Sequence, residues 1–158
     1  MKKFLVFVIL TFTAFAFTAC STINQSGKEG QQIAKDEEVE NIMKINISVY
    51  GYTLTATLED NAAAKAFAEM IPTDGLTLSL SEYGGFEKVG SLGKSLPRED
   101  VRITTKPGDL ILYSGSEFSL MYGSNAWTYT KLGAIDDIET INLKTILGGG
   151  NVTIKITK

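Results

Sequence analysis

The stretch from Asp60 to Pro72 is the strongest helix signal in a chain that otherwise consists largely of strand-like segments. Its apolar residues recur at the spacing of one helical face, and they are Ala63, Ala66, Phe67, Met70 and Ile71. Asp60 or Asn61 can cap the start, and Pro72 cannot continue the helix because it lacks an N–H group. Because a single apolar stripe must be buried, the sequence predicts a helix that packs on β-strands.

Short segments in which apolar and polar residues alternate surround this helix. Two of them, Lys44–Val49 and Leu54–Leu58, flank Tyr50-Gly51 and predict a β-hairpin. Further strands are predicted at 76–80, 109–113, 118–122, 127–132 and 151–157. The continuous apolar run of the 109–113 strand predicts burial on both faces. The run from Ser81 to Pro97 is interpreted as a glycine-bearing loop.

A second helix is predicted from about Asp137 to Leu147, with Asp136 or Asp137 as its cap and Gly148 as its end. Many short strands, glycine turns and two helices together indicate a mainly β fold. A closed barrel and a sandwich both satisfy this pattern, with the helices covering the open ends.

Composition excludes several classes of function. The 158 residues are 44% hydrophobic and 21% charged, which suits one folded domain, and the formal net charge of −3 argues against nucleic acid as a partner. Histidine is absent, so Ser-His-Asp and Cys-His catalysis and most zinc sites are excluded. The single cysteine, Cys20, allows no intramolecular disulfide. No cofactor and no metal site is predicted.

The N-terminus is typical of a secretory signal peptide. Met1-Lys2-Lys3 is followed by a charge-free apolar run that ends at Cys20, which is short for a membrane-spanning helix. Phe17-Thr18-Ala19-Cys20 resembles the lipobox of bacterial lipoproteins, although Phe17 replaces the usual leucine. The resemblance implies a signal peptide at 1–19 and lipidation of Cys20. The alternative is an ordinary signal peptide with a chance cysteine.

The polar residues that follow Cys20 predict a flexible acidic tether at 20–40, because they offer too little apolar surface to form a core. The folded domain is then expected to occupy residues 41–158. The acidic cluster at the end of the tether is interpreted as a solvated segment.

The order of motifs within this domain resembles the bacterial cyclophilin-like domains. The similar segments are L-E-D-N-A-A-A-K-A-F-A-E-M-I-P, L-T-L-S-L-S-E-Y-G-G-F-E-K-V-G, K-P-G-D-L-I-L-Y and G-G-G-N-V-T-I. The resemblance covers Lys44 to Thr157 and implies a closed eight-stranded β-barrel with a small helix at each end, like that of the peptidyl-prolyl isomerases. The histidine-containing motifs of the isomerases are missing. An isomerase of low activity would have to use Arg98 or Arg102 as its donor to the prolyl carbonyl.

Aromatic residues with polar tips between glycine loops are typical of a groove that binds a peptide or a small molecule. The ligand-binding candidates are Tyr83, Glu87, Arg98, Tyr113, Tyr122 and Trp127, in a pattern that also includes Phe86 and Tyr129. Alternatively, these rings fill the ends of the barrel. Glu82 and Glu87 flank Gly84-Gly85 and could form an acid/base pair, but their spacing does not fix their separation, and exposed glutamates are expected.

The function expected from the sequence is therefore binding. We expect a lipoprotein of the bacterial cell envelope, anchored by its N-terminal lipid on the outer side of a membrane, with a cyclophilin-like domain for a peptide or small ligand. A weak prolyl isomerase is the alternative enzyme, and a purely structural envelope component is the third possibility.

Overall fold

The structure is a computed structural model, and it describes residues 42–158. The predicted signal peptide, the predicted tether and Cys20 lie outside the described residues. Within residues 42–158, no helix has the length and apolar character that crossing a membrane would require.

The described chain is mainly β. The strands are β1 (Lys44–Val49), β2 (Tyr52–Leu58), β3 (Leu76–Tyr83), β4 (Glu87–Ser91), β5 (Val101–Thr104), β6 (Asp109–Tyr113), β7 (Glu117–Met121), β8 (Ala126–Ile135) and β9 (Val152–Thr157). The helices are α1 (Ala62–Met70), a short 3₁₀ helix (Ile138–Thr140) and α2 (Leu143–Leu147).

Eight strands form a closed antiparallel barrel in the order β2-β1-β9-β3-β4-β7-β6-β8. The ring closes where β8 pairs with β2, for example at Ala56 and Ile135. β5 is outside the ring and pairs with the first half of β8, where Ile103 lies opposite Trp127. The predicted eight-stranded barrel with two helices is thus confirmed.

Helix α1 covers the barrel as its sequence predicted. The side chain of Asn61 accepts a hydrogen bond from the Ala64 N–H at 2.8 Å, and its amide group donates to the Lys131 carbonyl of β8 at 2.9 Å. The ring of Phe67 stacks on that of Phe118, with centroids 5.5 Å apart, inside the main core. The helix ends at Met70, before Pro72.

The second predicted helix is wrong in its extent and in its cap. Asp136 cannot cap it because its carboxylate accepts hydrogen bonds from Lys44 Nζ and Thr57 Oγ1, both at 2.8 Å. Asp137 takes a left-handed backbone conformation, with φ of 52°, and makes no side-chain cap. The helical segment is therefore split, and Asn142 caps α2 by accepting from the Thr145 N–H at 3.0 Å.

Two strands were not predicted, namely β4 and β5. β4 lies within the run that was interpreted as a loop, since its glycine conceals the strand pattern. A Cβ atom at Gly90 would be 2.4 Å from the Ser79 carbonyl oxygen, so the glycine permits close approach of β3 and β4.

A second, smaller cluster of apolar side chains lies on the outer face of the barrel. Along β6, Leu110 and Leu112 belong to the main core, whereas Ile111 belongs to this outer cluster together with Met121 and Tyr129. The predicted burial of the 109–113 strand on both faces is confirmed at its central residues, Leu110, Ile111 and Leu112. Tyr129 of this outer cluster, and Phe86, which packs against it, also line the candidate site.

Candidate functional site

A groove of about 630 Å³ lies on the outer face of the barrel, beside this outer cluster. We call it the aromatic groove, and its lining residues are Tyr83, Gly84, Phe86, Glu87, Val89, Tyr113, Glu117, Asn125, Trp127 and Tyr129. The strands β4, β6, β7 and β8 supply most of these residues, and the others come from the end of β3, the turn after it and the residue that precedes β8. The volume is within the range that is typical of small-molecule sites.

Ring pairs in near-perpendicular, edge-to-face contact form part of the lining. Tyr83 and Phe86 have centroids 6.1 Å apart and planes at 89°, and Tyr113 and Tyr129 have centroids 6.0 Å apart and planes at 71°. Two rings remain largely exposed, since Tyr83 is 61% and Trp127 is 52% accessible. A contiguous set of exposed aromatic rings is characteristic of a binding surface.

Glu87 brings a carboxyl group into this apolar surrounding. Glu87 is only 6% exposed, and its Oε2 atom has no hydrogen-bond partner of regular geometry among the described residues. The buried Ser119 hydroxyl of β7 lies near this carboxyl and lowers its pKa, but it makes no hydrogen bond of regular geometry in the described part of the chain. Unpartnered buried polar groups are costly and uncommon, so they point to a ligand or water at this place.

Burial raises the pKa of Glu87 because the apolar surroundings disfavour its charged form, and the negative charge of Glu82 acts in the same direction. The nearby Ser119 hydroxyl acts to lower the pKa, but burial outweighs it. Burial also raises the pKa of Tyr129, whose hydroxyl accepts a hydrogen bond from Asn125 Nδ2 at 2.8 Å. The tyrosine therefore stays a neutral phenol at physiological pH.

Glu82 and Glu87 do not form an acid/base pair. Strand alternation directs Lys88, the neighbour of Glu87, into the barrel, where its fully buried Nζ donates to Glu82 Oε2 at 2.7 Å. The same Nζ donates to the carbonyls of Gly148 and Gly150 at 3.1 and 2.6 Å. Glu82 is thus held by Lys88, whereas Glu87 faces the groove. The expectation that Glu87 is exposed is wrong.

Tyr122 is a predicted ligand-binding residue that does not line the aromatic groove. Its hydroxyl donates to the Glu82 carboxylate, and its ring lies 5.6 Å from Lys88 Nζ. Burial and the adjacent Glu82 raise the pKa of Tyr122 to about 12. This tyrosine completes the polar network around Lys88 and is not available to a ligand in the groove.

Arg98 also lies outside the aromatic groove. It pairs with Asp100, whose other carboxylate oxygen accepts from the Thr130 hydroxyl at 2.5 Å. Arg102 of β5 pairs with Thr128 of β8, and the next pair along the strands is Ile103 and Trp127. Because side chains alternate along a strand, Arg102 points to the other face of the sheet from Ile103 and Trp127. Neither arginine lines the groove, because the pairing of β5 with β8 and the Asp100 contact hold them away from it.

The structure therefore brings four of the six predicted ligand-binding residues together: Tyr83, Glu87, Tyr113 and Trp127. Phe86 and Tyr129, noted in the same pattern, also line the groove. The prediction missed Val89, Glu117 and Asn125. Glu117 could have been found, because it alternates with Phe118 and Leu120 and so belongs on the outer face of β7. Within residues 42–158, no group of three or more acidic, cysteine or histidine side chains could hold a metal ion.

Comparison with known proteins places this geometry in context. A family model described as the cyclophilin-like family matches residues 47–157. Among solved structures that match is the solution structure of a hypothetical protein from Archaeoglobus fulgidus. It is 13% identical, the match covers 73% of this chain and 94% of that one, and the TM-score is 0.49. No curated protein matches the chain.

The buried carboxyl of Glu87 predicts a defined dependence of stability on pH. Its raised pKa means that the folded state holds the proton to a higher pH than the unfolded state does. The free energy of unfolding therefore loses a contribution as pH rises from the ordinary glutamate pKa, about 4.3, through the raised value. We expect Glu87→Gln to remove this loss, so that the stability of the variant relative to the natural protein increases as the pH rises from 4 to 8.

Urea unfolding at pH 4, 5, 6, 7 and 8 would measure the difference between the two proteins. Glu117→Gln is the matched control, because Glu117 lines the same groove but is only half-buried. A difference between the natural protein and Glu87→Gln that does not change with pH would contradict the prediction.

Proposed function

The chain belongs to the cyclophilin-like family, and from this premise we propose that its barrel is a binding domain for a peptide or small ligand held in the aromatic groove. The single observation that carries the proposal is the convergence of five aromatic side chains around the buried, unpartnered carboxyl of Glu87. Rings of this kind supply contact area at a low entropic cost, and one polar group on the floor fixes the orientation of a ligand.

The architecture supports binding at an outer groove. The barrel interior is filled by fully buried side chains such as Ile47, Leu80 and Leu120, as is usual for a barrel of eight strands. The aromatic groove, in contrast, keeps Tyr83, Tyr113 and Trp127 accessible. The rings of Tyr83 and Tyr113 each contact a second ring of the groove, Phe86 and Tyr129 respectively.

Binding predicts a saturable response of Trp127, the only tryptophan of the chain. We expect its fluorescence to change when the purified chain is titrated with members of a library of proline-containing peptides and small polar ligands. We expect Tyr83→Ala to weaken the affinity of a responding ligand at least about tenfold, since central aromatic residues contribute most to binding energy.

Tyr52→Ala is the matched control for this titration, because Tyr52 is 54% exposed and lies on β2, outside the groove. Amide NMR shifts should be confined to groove residues. The proposal fails if no ligand gives a saturable response, or if Tyr52→Ala weakens binding as much as Tyr83→Ala.

We do not propose prolyl isomerisation as the activity, because the rotation barrier of an amide requires a fixed donor to the prolyl carbonyl. Arg98 is paired with Asp100, and Arg102 lies on the other face of β5. We expect a protease-coupled assay with a proline-containing peptide to give the uncatalysed rate at high protein concentration. A rate that increases in proportion to protein, and that falls in Arg98→Ala or Arg102→Ala, would reverse this conclusion.

The proposal includes a lipid anchor at Cys20, which the N-terminal sequence supports. A basic start, an apolar charge-free run and the only cysteine of the chain occur in the order that lipoprotein processing requires. Two or more acyl chains on that residue would anchor the domain stably, whereas a single chain would be marginal. The protein would then act at the outer side of a membrane of the bacterial envelope.

We expect cells grown with radiolabelled palmitate to label the natural chain and not Cys20→Ser. The variant should also lose most of its recovery in the membrane fraction. Because the chain has one cysteine, residual label on the variant would show attachment elsewhere and would contradict the proposal.

A further inference from the structure

We infer that the ligand of the aromatic groove carries an organic cation with an N–H group, that is, a protonated amine or a guanidinium. The inference rests on the proposed function, because it names the chemistry of the ligand for that same groove. The chemistry follows from the charges, the unpartnered oxygen and the rings of the lining.

The charged side chains that line the groove are both acidic, Glu87 and Glu117. The cationic side chains of the neighbouring elements do not line the groove: Lys88 is buried in the barrel with Glu82, and Arg102 lies on the other face of β5. Arg98 pairs with Asp100, and Lys131 Nζ lies 3.2 Å from Asp109 and 3.3 Å from Glu59. An anionic ligand would therefore meet two carboxylates without a compensating cation, whereas a cation would neutralise them.

Glu87 specifies the kind of cation. Its Oε2 atom is buried and makes no hydrogen bond of regular geometry, although the Ser119 hydroxyl is near, so a ligand that reaches it with an N–H group would form a charge-assisted hydrogen bond in a poorly solvated place. A quaternary ammonium group has no N–H and would leave this oxygen unpaired. The geometry thus favours a primary amine or a guanidinium over a fully alkylated nitrogen.

The rings support the same class of ligand. Tyr83 and Tyr113, one ring of each near-perpendicular pair, stay accessible at the groove. A cation over the face of an aromatic ring is attracted by the ring quadrupole, most strongly for tryptophan, and Trp127 is half-exposed at the same groove.

A neutral ligand would use the groove differently, and pH separates the two cases. Burial raises the pKa of Glu87, so a protonated Glu87 could donate to a ligand carbonyl at low pH. Binding of a cation should strengthen as pH rises and Glu87 ionises, whereas binding of a neutral acceptor should weaken. The titratable groups that line the groove with Glu87 are Tyr83, Tyr113, Glu117 and Tyr129, and Glu82 and Tyr122 act on it from the network around Lys88.

The test compares matched probes on the full chain by Trp127 fluorescence and by calorimetry. N-acetyl-lysine methylamide and its Nε-acetylated form differ by one charge, and n-butylamine and tetramethylammonium complete the set. We expect the lysine probe to bind about tenfold more tightly than its acetylated form at pH 7.5, and n-butylamine to bind more tightly than tetramethylammonium. Affinity for the lysine probe should rise between pH 5 and pH 7.5.

Two glutamate variants assign the effect to Glu87. Glu87→Gln should abolish both the preference for the charged probe and its dependence on pH. Glu69→Gln makes the same charge change at an exposed position of α1, outside the groove, and should alter neither. A lysine probe that binds distinctly better than n-butylamine would indicate a cationic side chain in a peptide, and equal binding would indicate a free amine.

Equal binding of the charged and acetylated probes, or an unchanged preference in Glu87→Gln, would overturn the inference. If amines fail while other members of the peptide and small-ligand library bind, the cation is refuted and the proposed binding function stands. If neither set of ligands binds, both are refuted.

Discussion

Closure of the barrel through β8 is the constraint on which the rest of the structure depends. β8 pairs with β5 over its first four residues and with β2 over its last three, and its ladder with β6 contains a register shift between Leu110 and Ile111. Gly133 lies where β8 meets β2, and a Cβ atom there would be 2.4 Å from the Thr57 carbonyl oxygen. Without a side chain at that position the two strands can approach and pair, which removes the free edges of the sheet. The other half of β8 is then left to carry β5 and the aromatic residues of the groove.

Alternation along β4 places two charged groups in opposite environments. Lys88 points into the barrel and is fully buried, but Glu82 and two backbone carbonyls satisfy it. Glu87 points outward and is almost as deeply buried, yet one of its oxygens has no partner in the described part of the chain. The buried charge of Lys88 has a structural role, because its hydrogen bonds to the Gly148 and Gly150 carbonyls hold the turn after α2 against the barrel. The unsatisfied one has no such structural explanation and is therefore the stronger indication of a binding site.

The parts of the fold that were predictable from sequence are those whose signal is local. The stripe of α1, the hairpin of β1 and β2, and the doubly buried strand β6 follow from periodicity within a few residues, and the family resemblance supplied the closed barrel. β4 and β5 were missed because glycine and short length leave too little periodicity to detect. The helix after β8 was predicted too long because Asp136 binds Lys44, a residue 92 positions away, and so does not act as a cap. The sequence predicted an aromatic binding site because aromatic residues with polar tips occur between its glycine loops. Strand register decides which of these residues line the same groove, and register was not predictable. For this reason the predicted set included Tyr122 and Arg98 and omitted Glu117.

The position of the groove outside the barrel follows from the size of the barrel. A ring of eight strands has an interior that side chains just fill, and here the core residues and α1 occupy it. Any ligand of appreciable size must therefore bind outside, where a strand face would ordinarily be polar and flat. In this chain the Tyr83–Phe86 turn and the aromatic residues of β6 and β8 line a groove on that face, beside the buried apolar cluster that includes Ile111 and Met121. These surroundings are apolar, so a carboxyl group placed in them is poorly solvated, and its interaction with a ligand is correspondingly stronger than it would be in water. The apolar surroundings of the groove thus also strengthen the interaction that Glu87 can make with a ligand.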